Sequence, residues 1–240
     1  MTVFADVLAR QLRADSSRPL VTFYDDATGE RVELSVTTYA NWVAKTASLL
    51  VEEHGLERGQ SLHVDLPPHW LGPVFLGAAW SAGLVVVGPE EAPDAVVCGP
   101  DGLARWTAHA ADIPVLACSL LPLGVRFAEP LPPDVHDVGV DVWSQPDSFT
   151  PWDPPTADDP ATGASYGGAT QGETWTTAAA GSLLTDGGRL LTEANPASPP
   201  GLATFTEPLA RGGSLVLVVH AGPGRLDAVS TAERVTARFP

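Results

Sequence analysis

The sequence has 240 residues, of which 44% are hydrophobic, and 13 basic against 29 acidic side chains give a formal net charge of -16. Such a chain can bury one sizeable core, with room for a smaller subdomain. Its negative field repels phosphate backbones and anionic lipid headgroups, which argues against nucleic-acid and membrane-surface partners. The N-terminus has no basic region followed by an apolar core, and no run of about eighteen apolar residues occurs, so a cytoplasmic protein is expected.

Cysteine and lysine are both scarce. Cys98 and Cys118 each lie beside short apolar runs, which favours two buried thiols in a reducing compartment over a disulfide. Neither cysteine has the spacing of a metal site. Lys45 is the single lysine, so a mechanism that needs a catalytic lysine has one candidate.

The first 55 residues predict a helix, a hairpin and a second helix. Residues 2–14 place their apolar side chains on one helical face. Two short β-prone runs, 20–24 and 31–36, flank an acidic turn that contains glycine, as in a hairpin. Ser35 then predicts the cap of a helix that continues to about His54.

Residues 61–127 alternate between strand and helix patterns. Alternating polarity over 61–66 predicts a half-buried strand, and residues 69–82, apolar on nearly every face, predict a buried helix. Valine-rich runs predict strands covered on both faces, and Asp101 predicts the cap of an intervening helix. These strands are 84–87, 95–98 and 113–118, and the helix is 102–111. The alternation favours a largely parallel sheet.

The composition changes at residue 128. Residues 128–160 contain eight prolines and eight carboxylates, which predicts an extended acidic connector along the surface. No lysine or arginine lies between Arg126 and Arg189, whereas ten acidic residues do.

Regular patterns return after residue 176. They predict helices at 177–186, 202–210 and 226–239 and strands at 189–192 and 214–219, with no strand after the last helix. We therefore predict an α/β protein with a largely parallel sheet flanked by helices. Its segments are an α/β domain at 1–127, the connector at 128–160, and at 161–240 a glycine loop with an α/β segment that packs on the same core.

The stretch from Tyr166 to Trp175 has the shape of a phosphate-cradling loop. Its small residues permit backbone N–H groups to converge on an anion, with a helix N-terminus predicted behind them. The P-loop pattern is a glycine, any four residues, a glycine, a lysine, and a serine or threonine. Gly167, Gly172 and Thr174 fit this pattern. Glu173 occupies the lysine position, so the loop has the shape of a phosphate site without its positive charge.

The order of these elements resembles the N-terminal part of the adenylate-forming superfamily, which contains acyl-CoA synthetases, peptide-synthetase adenylation domains and luciferases. Residues 55–88 resemble its turn, strand and apolar helix ending in Ala-Gly-Ala-Val-Val-Val. The glycine loop resembles its Tyr-Thr-Ser-Gly-Thr-Thr-Gly-x-Pro-Lys motif, which wraps the triphosphate of ATP. Residues 187–219 resemble the segment that follows. The likeness spans most of residues 1–239 and is that of a short actinobacterial relative.

The resemblance implies a degenerate nucleotide-binding loop. The positions carried over are Tyr166, Gly167, Gly168, Ala169, Thr170, Gln171, Gly172 and Thr174. Thr174 and Trp175 stand where proline and lysine are expected, and the motifs for adenine, magnesium, ribose and the lid lysine are absent. A pair of like charges at 4 Å near a surface costs about 1 to 4 kcal/mol, so Glu173 disfavours a polyanion. We therefore expect no catalytic residue, no metal and no cofactor.

The function expected is binding or regulation by a truncated, catalytically inactive relative, a pseudoenzyme. It would bind a small acyl or apolar ligand, a protein partner, or a second copy of itself where the missing half would dock. The alternative is an acyl-activating enzyme, dependent on ATP and Mg²⁺, that another chain completes in trans.

Two other sites are less favoured. Residues 163–167 match the Gly-x-Ser-x-Gly elbow of serine hydrolases, with Ser165 as nucleophile, His220 as base and Asp186 as the aspartate between them. The proline-broken stretch before the elbow disfavours it, because the elbow needs a buried strand there. A cluster at 134–137 offers metal-ligating side chains, but adjacent residues in such a connector more often form a solvated loop.

Overall fold

Two five-stranded sheets organise the computed structural model, which describes residues 2–240. The helices are α1 Phe4–Asp15, α2 Val36–Ser48, α3 Leu71–Ala82, α4 Leu103–Trp106, α5 Val138–Asp141, α6 Gln171–Ala180, α7 Ala203–Ala210 and α8 Arg225–Ala232. The strands are β1 Pro19–Asp25, β2 Glu30–Ser35, β3 Ser61–Asp65, β4 Val85–Val87, β5 Ala95–Cys98, β6 Val115–Ala117, β7 Val135–Asp137, β8 Arg189–Thr192, β9 Ser214–Val219 and β10 Ala237–Arg238.

The first sheet joins the two ends of the chain. Its strand order is β10-β8-β9-β1-β2, and all neighbours are parallel except the hairpin β1–β2. β1 pairs with β9 from Val21 opposite Leu215 to Asp25 opposite Val219. The predicted boundaries at residues 127 and 160 therefore do not coincide with the division between the sheets.

The second sheet is parallel throughout, in the order β4-β3-β5-β6-β7. Its edge strand β7 comes from the predicted connector and pairs with β6 from Val115 to Ala117. Asp137 then caps α5, because its carboxylate accepts the Gly139 N–H at 2.9 Å. The same carboxylate also accepts the Phe127 N–H at 2.9 Å. The predicted acidic connector therefore contains a strand and a short helix over these residues, which its sequence pattern did not predict.

α3 lies in the middle of the molecule. Eleven of its twelve residues are buried, as its uniform hydrophobicity predicts. Gly77 permits α2 and α1 to approach, because a Cβ there would meet Tyr39 and Phe4. The rings of Phe4, Trp80 and Trp175 join α1, α3 and α6, with centroids 5.4 to 6.0 Å apart.

The N-terminal predictions agree closely with the structure. α1 and the hairpin form at the expected positions. Ser35 caps α2, since its Oγ accepts the Thr38 N–H at 3.1 Å. A π-helical turn, Leu49–Glu53, extends α2 towards His54. β3 differs, because His63 is 6% exposed on the face expected to be polar, and its Nδ1 lies 2.8 Å from the Val87 carbonyl.

Three helix predictions need correction. In place of one helix at 102–111, α4 lies between two 3₁₀ turns, and Asp101 lies inside the first turn instead of capping the helix. α6 begins at Gln171, six residues before the start of the helix predicted at 177–186. The last helix ends at Ala232, and Arg234 adopts a left-handed φ of 52°. The chain then forms β10 on the edge of β8, a closing strand that the sequence analysis did not predict.

Both cysteines are free and buried, as predicted. Cys98 ends β5 and Cys118 follows β6, and the Cys118 N–H donates to the Cys98 carbonyl at 2.9 Å. Burial raises the pKa of the Cys98 thiol to about 12, and burial also raises the pKa of the Cys118 thiol. Within residues 2–240, no helix has both the length and the apolar character that crossing a bilayer requires.

Candidate functional site

The glycine loop follows a short extension of the second sheet. Thr162 forms a parallel bridge with Val86, and the Gly163 N–H donates to the Val86 carbonyl at 2.8 Å. A 3₁₀ turn, Ala164–Tyr166, follows, and Gly167 and Gly168 take φ of 96° and 66°. A side chain is strained in this left-handed region, so the two glycines permit the reversal that leads into α6.

A carboxylate already occupies the turn. Glu91 accepts the backbone N–H groups of Ala164 at 2.8 Å, Ser165 at 3.2 Å and Gly88 at 3.0 Å, and also the Ser165 hydroxyl. The Ser165 hydroxyl, followed by these backbone donors, lowers the pKa of Glu91 to about 2. Glu91 was not among the predicted residues, because nothing in its local sequence indicates that it reaches a turn 73 residues away.

Glu173 helps to cap helix α6 instead of facing a bound anion. Its carboxylate accepts the Thr170 N–H at 2.9 Å, and the Thr170 hydroxyl accepts the Glu173 N–H at 3.2 Å, which forms a capping box. The backbone bond from Thr170 lowers the pKa of Glu173. The signal was present in the sequence, since threonine followed three residues later by glutamate is a helix-start pattern.

The other N–H groups of the loop also have acceptors within the chain. The Gln171 and Gly172 N–H groups donate to the carbonyls of Asp159 and Ala157, each at 2.8 Å, and the Ala169 N–H donates to the Thr162 hydroxyl at 3.0 Å. The N–H groups of residues 166–168 bond to carbonyls of residues 163 and 164, and that of Thr174 bonds to Thr170. As folded, the backbone from Gly163 to Thr174 has no free donor for a phosphate.

The predicted loop residues do not share one environment. Tyr166 and Ala169 border a cavity, whereas Gly167 and Gly168 are exposed. Burial raises the pKa of the Tyr166 phenol to about 12, and its hydroxyl donates to the Ala197 carbonyl at 2.6 Å.

Gln171 is fully buried and has become part of the core. Its side-chain oxygen accepts the Phe4 N–H at 3.1 Å and the Trp175 Nε1–H at 3.2 Å, and its amide donates to the Trp80 carbonyl at 3.0 Å. Its side chain therefore holds α1, α3 and α6 together and is not available to a ligand.

A cavity of about 290 Å³ lies between the loop, α6 and α7; we call it the loop cavity. Its walls are mainly aliphatic carbon, the Tyr166 ring and threonine side chains. They include Thr162, Tyr166, Ala169, Thr174, Ala178, Pro199, Leu202 and Ala203. The carboxylate in its wall, Glu207, is 8% exposed and accepts the Leu183 N–H at 2.9 Å. The loop cavity therefore suits a small, mostly apolar molecule.

The less favoured sites are not assembled. The Ser165 hydroxyl bonds to Glu91, whereas His220 pairs with Asp25 at 2.7 Å beyond β9 and lines a different cavity. Among residues 2–240, no group of three or more side chains could hold a metal ion. His136 instead packs against His54, with ring centroids 4.4 Å apart.

Comparisons with known proteins identify the fold. No family model matches the sequence. A TIGR03089 family protein of Mycobacterium tuberculosis is 35% identical over 245 residues, which cover 98% of this chain and 97% of the relative. The crystal structure of Brucella canis acyl-CoA synthetase matches 99% of this chain with a TM-score of 0.80 and 16% identity, and the match covers 47% of that chain. The predicted α/β fold, and its resemblance to about half of an acyl-CoA synthetase, are confirmed.

Proposed function

Since the chain belongs to the TIGR03089 family and has the fold of about half of an acyl-CoA synthetase, we propose that it is a binding protein built on that fold. On this proposal it does not adenylate acyl groups by itself. It binds a small acyl or apolar molecule in the loop cavity.

One observation carries the proposal: every backbone N–H from Gly163 to Thr174 is bonded within the chain, with Glu91 and Glu173 as two of the acceptors. A nucleotide triphosphate brings about four negative charges and needs such donors and cations free. It would have to displace Glu91 and approach a chain of net charge -16. Each like-charge pair opposes this by about 1 to 4 kcal/mol at 4 Å.

Arg58, which is linked to the loop through Asp159, and the single lysine are both paired within the chain. Arg58 bridges Asp153 at 2.8 Å and Asp159 at 2.7 Å, and the Asp159 carbonyl receives the Gln171 N–H. The single lysine, Lys45, bonds to the Gln145 carbonyl and pairs with Asp147 at 3.1 Å, which ties the 128–160 segment to α2. These contacts support a loop without a cation for phosphate.

Calorimetric titration with ATP and Mg²⁺ tests the nucleotide half of the proposal. We expect no saturable heat up to about 1 mM ATP, where even a weak site of about 4 kcal/mol is half filled. Saturation in the micromolar range would overturn the proposal.

Saturation-transfer NMR with octanoic acid methyl ester tests whether an apolar molecule binds in the loop cavity. Ala203→Phe places a ring in the loop cavity and should abolish the transfer, whereas Ala179→Phe, on the exposed side of α6, should leave it intact. Equal transfer in both variants would place the ligand elsewhere.

An enzyme completed in trans is the second candidate, and the 47% coverage of the synthetase chain favours it. It predicts exchange of pyrophosphate with ATP when a chain carrying the remaining synthetase half is added. Exchange under those conditions would replace the inactive assignment.

A protein partner or a second copy of the chain is part of the proposal. Apolar side chains at Leu123, 69% exposed, and Trp143, 54% exposed, support such a contact, because exposed apolar patches often mark interfaces. Light scattering should give a mass above that of one chain, and Leu123→Asp should reduce it. A single-chain mass for the unmodified protein at about 100 μM would rule out the second copy.

A further inference from the structure

A second cavity, of about 340 Å³, lies where β1 and β9 end; we call it the sheet-end cavity. Its polar wall consists of Asp25, Glu30, His69, Glu193 and His220, and the rest is apolar and includes Phe23, Pro67, Leu120 and Val218. The carboxyl edge of parallel strands is the usual ligand-binding edge of α/β folds. No wall residue is shared with the loop cavity.

His69, a residue of this wall, has an unused donor. The side chain is 4% exposed, and its Nδ1 accepts the Leu71 N–H at 3.3 Å, which places the proton of the neutral ring on Nε2. Burial lowers the pKa of His69 to about 4, so the ring is neutral at pH 7. Among residues 2–240, Nε2 is buried without a partner. A ligand with an acceptor oxygen would satisfy it.

The carboxylates of the same wall need donors. Glu30 has a buried Oε1 without a partner in the described chain, and burial, followed by the negative charge of Asp25, raises its pKa. Asp25 is better satisfied, since it accepts the Ala27 N–H at 2.9 Å and pairs with His220. No lysine or arginine lines the cavity in residues 2–240. A cation beside Glu30 would remove an unfavourable excess of negative charge.

We propose that the sheet-end cavity binds a small primary amine that carries a hydroxyl or carbonyl oxygen and a short apolar arm. The ammonium group pairs with Glu30 and Asp25, the oxygen accepts the His69 Nε2–H, and the arm packs on Phe23 and Leu120. Carboxylates are rejected, because Glu30 and Glu193 repel them. This site is independent of the function proposed for the loop cavity.

The test titrates the ¹⁵N-labelled full chain with leucinol, which has all three features. We expect saturation with a dissociation constant at or below about 1 mM and shift changes confined to residues 23–30, 67–71 and 218–220. N-acetyl-leucinol lacks the charge and 3-methylbutylamine lacks the oxygen, and each should bind at least about tenfold more weakly. Leucine has a carboxylate in place of the hydroxymethyl group and should not bind.

Two variants separate the contacts. Glu30→Gln should weaken leucinol about tenfold, because the charge pair is lost. His69→Phe should remove the preference for leucinol over 3-methylbutylamine while a dispersed spectrum shows that the chain is folded. Asp101→Asn, an exposed acid on another surface, is the matched control and should change neither value.

Three outcomes would overturn the proposal. The first is that leucinol does not saturate the protein up to about 20 mM, a concentration well above the expected dissociation constant. The second is that N-acetyl-leucinol binds as tightly as leucinol. The third is that the shift changes are confined to the loop cavity, at residues 162–178 and 199–207. The last outcome would leave the loop-cavity proposal intact while removing this one.

Discussion

The Glu91 side chain occupies a loop that has the backbone shape of a phosphate-binding turn. The turn that it fills presents converging N–H groups, and a carboxylate satisfies them as an external anion would. Because the acceptor belongs to the same chain, the turn is ordered without ligand. The shape of the loop was readable from its glycines, whereas the occupant was not.

We predict that Glu91→Gln lowers the free energy of unfolding by about 1 kcal/mol at pH 7, since a half-exposed carboxylate is partly screened. The pKa of Glu91 is about 2 in the folded chain and 4.5 ordinarily. Its contribution is therefore complete above pH 4.5 and is lost as the pH falls through about 2.

Urea unfolding of both proteins between pH 7 and pH 3 measures this. The difference between them should shrink below pH 4.5. Glu90→Gln, which changes an exposed neighbouring carboxylate, is the control. A constant difference across the range would contradict the prediction.

At the level of helices and strands, the sequence predicted those elements that are determined by interactions between residues close in sequence. The hairpin, the Ser35 cap and the buried α3 follow from turn residues, a hydroxyl and continuous hydrophobicity. β7 and β10 did not follow, because each has three residues or fewer and is fixed by a neighbouring strand distant in sequence. The start of α6 was missed because its glycine and threonine residues were assigned to a phosphate loop.

Thr170→Ala should destabilise α6 by about 1 kcal/mol, because the hydroxyl that accepts the Glu173 N–H is removed. Thr176→Ala changes the same residue type on the exposed face of α6 and should have an effect near zero. Denaturant unfolding of both compares them, and equal losses would show that the cap is not formed.

Deletion of residues 235–240 should cost about 3 kcal/mol and promote association. It removes the Thr236 and Phe239 bonds to β8, both at 2.9 Å, and the apolar contact of Val235. β8 then becomes an open edge, which invites pairing with other chains. Deletion of Pro240 alone is the control. Light scattering and urea unfolding measure the two effects, and a fully stable, unassociated deletion variant would contradict them.

For the whole molecule, Gln171 is the polar centre at which α1, α3 and α6 meet. Gln171→Leu keeps the volume but leaves the Phe4 N–H and the Trp175 Nε1–H buried without an acceptor. We expect a loss of about 3 kcal/mol, because each unsatisfied donor costs about 1 to 3 kcal/mol. Thermal and urea unfolding check this against Thr177→Leu, an exposed position of α6. A loss below about 1 kcal/mol would contradict the role assigned to Gln171.

The candidate site shows the limit of sequence reasoning at this scale. Composition alone indicated that the loop lacks positive charge, and the structure agrees in that Arg58 is held by two aspartates. The sheet-end cavity had no sequence signal, because Glu30, His69 and His220 lie on three separate segments. Only the pairing of β1 with β9 brings these segments to one edge.

The two thiols give the protein a built-in reporter of how often it opens. Cys98 and Cys118 are 0% and 2% exposed and stay protonated at neutral pH, so an alkylating reagent finds neither sulfur in the intact chain. Iodoacetamide should therefore modify both thiols at the same rate, which is the rate at which the second sheet unfolds. Mass spectrometry over hours would then measure the rate of unfolding without any added probe. Rapid modification of one thiol alone would show that the sheet unfolds locally around it.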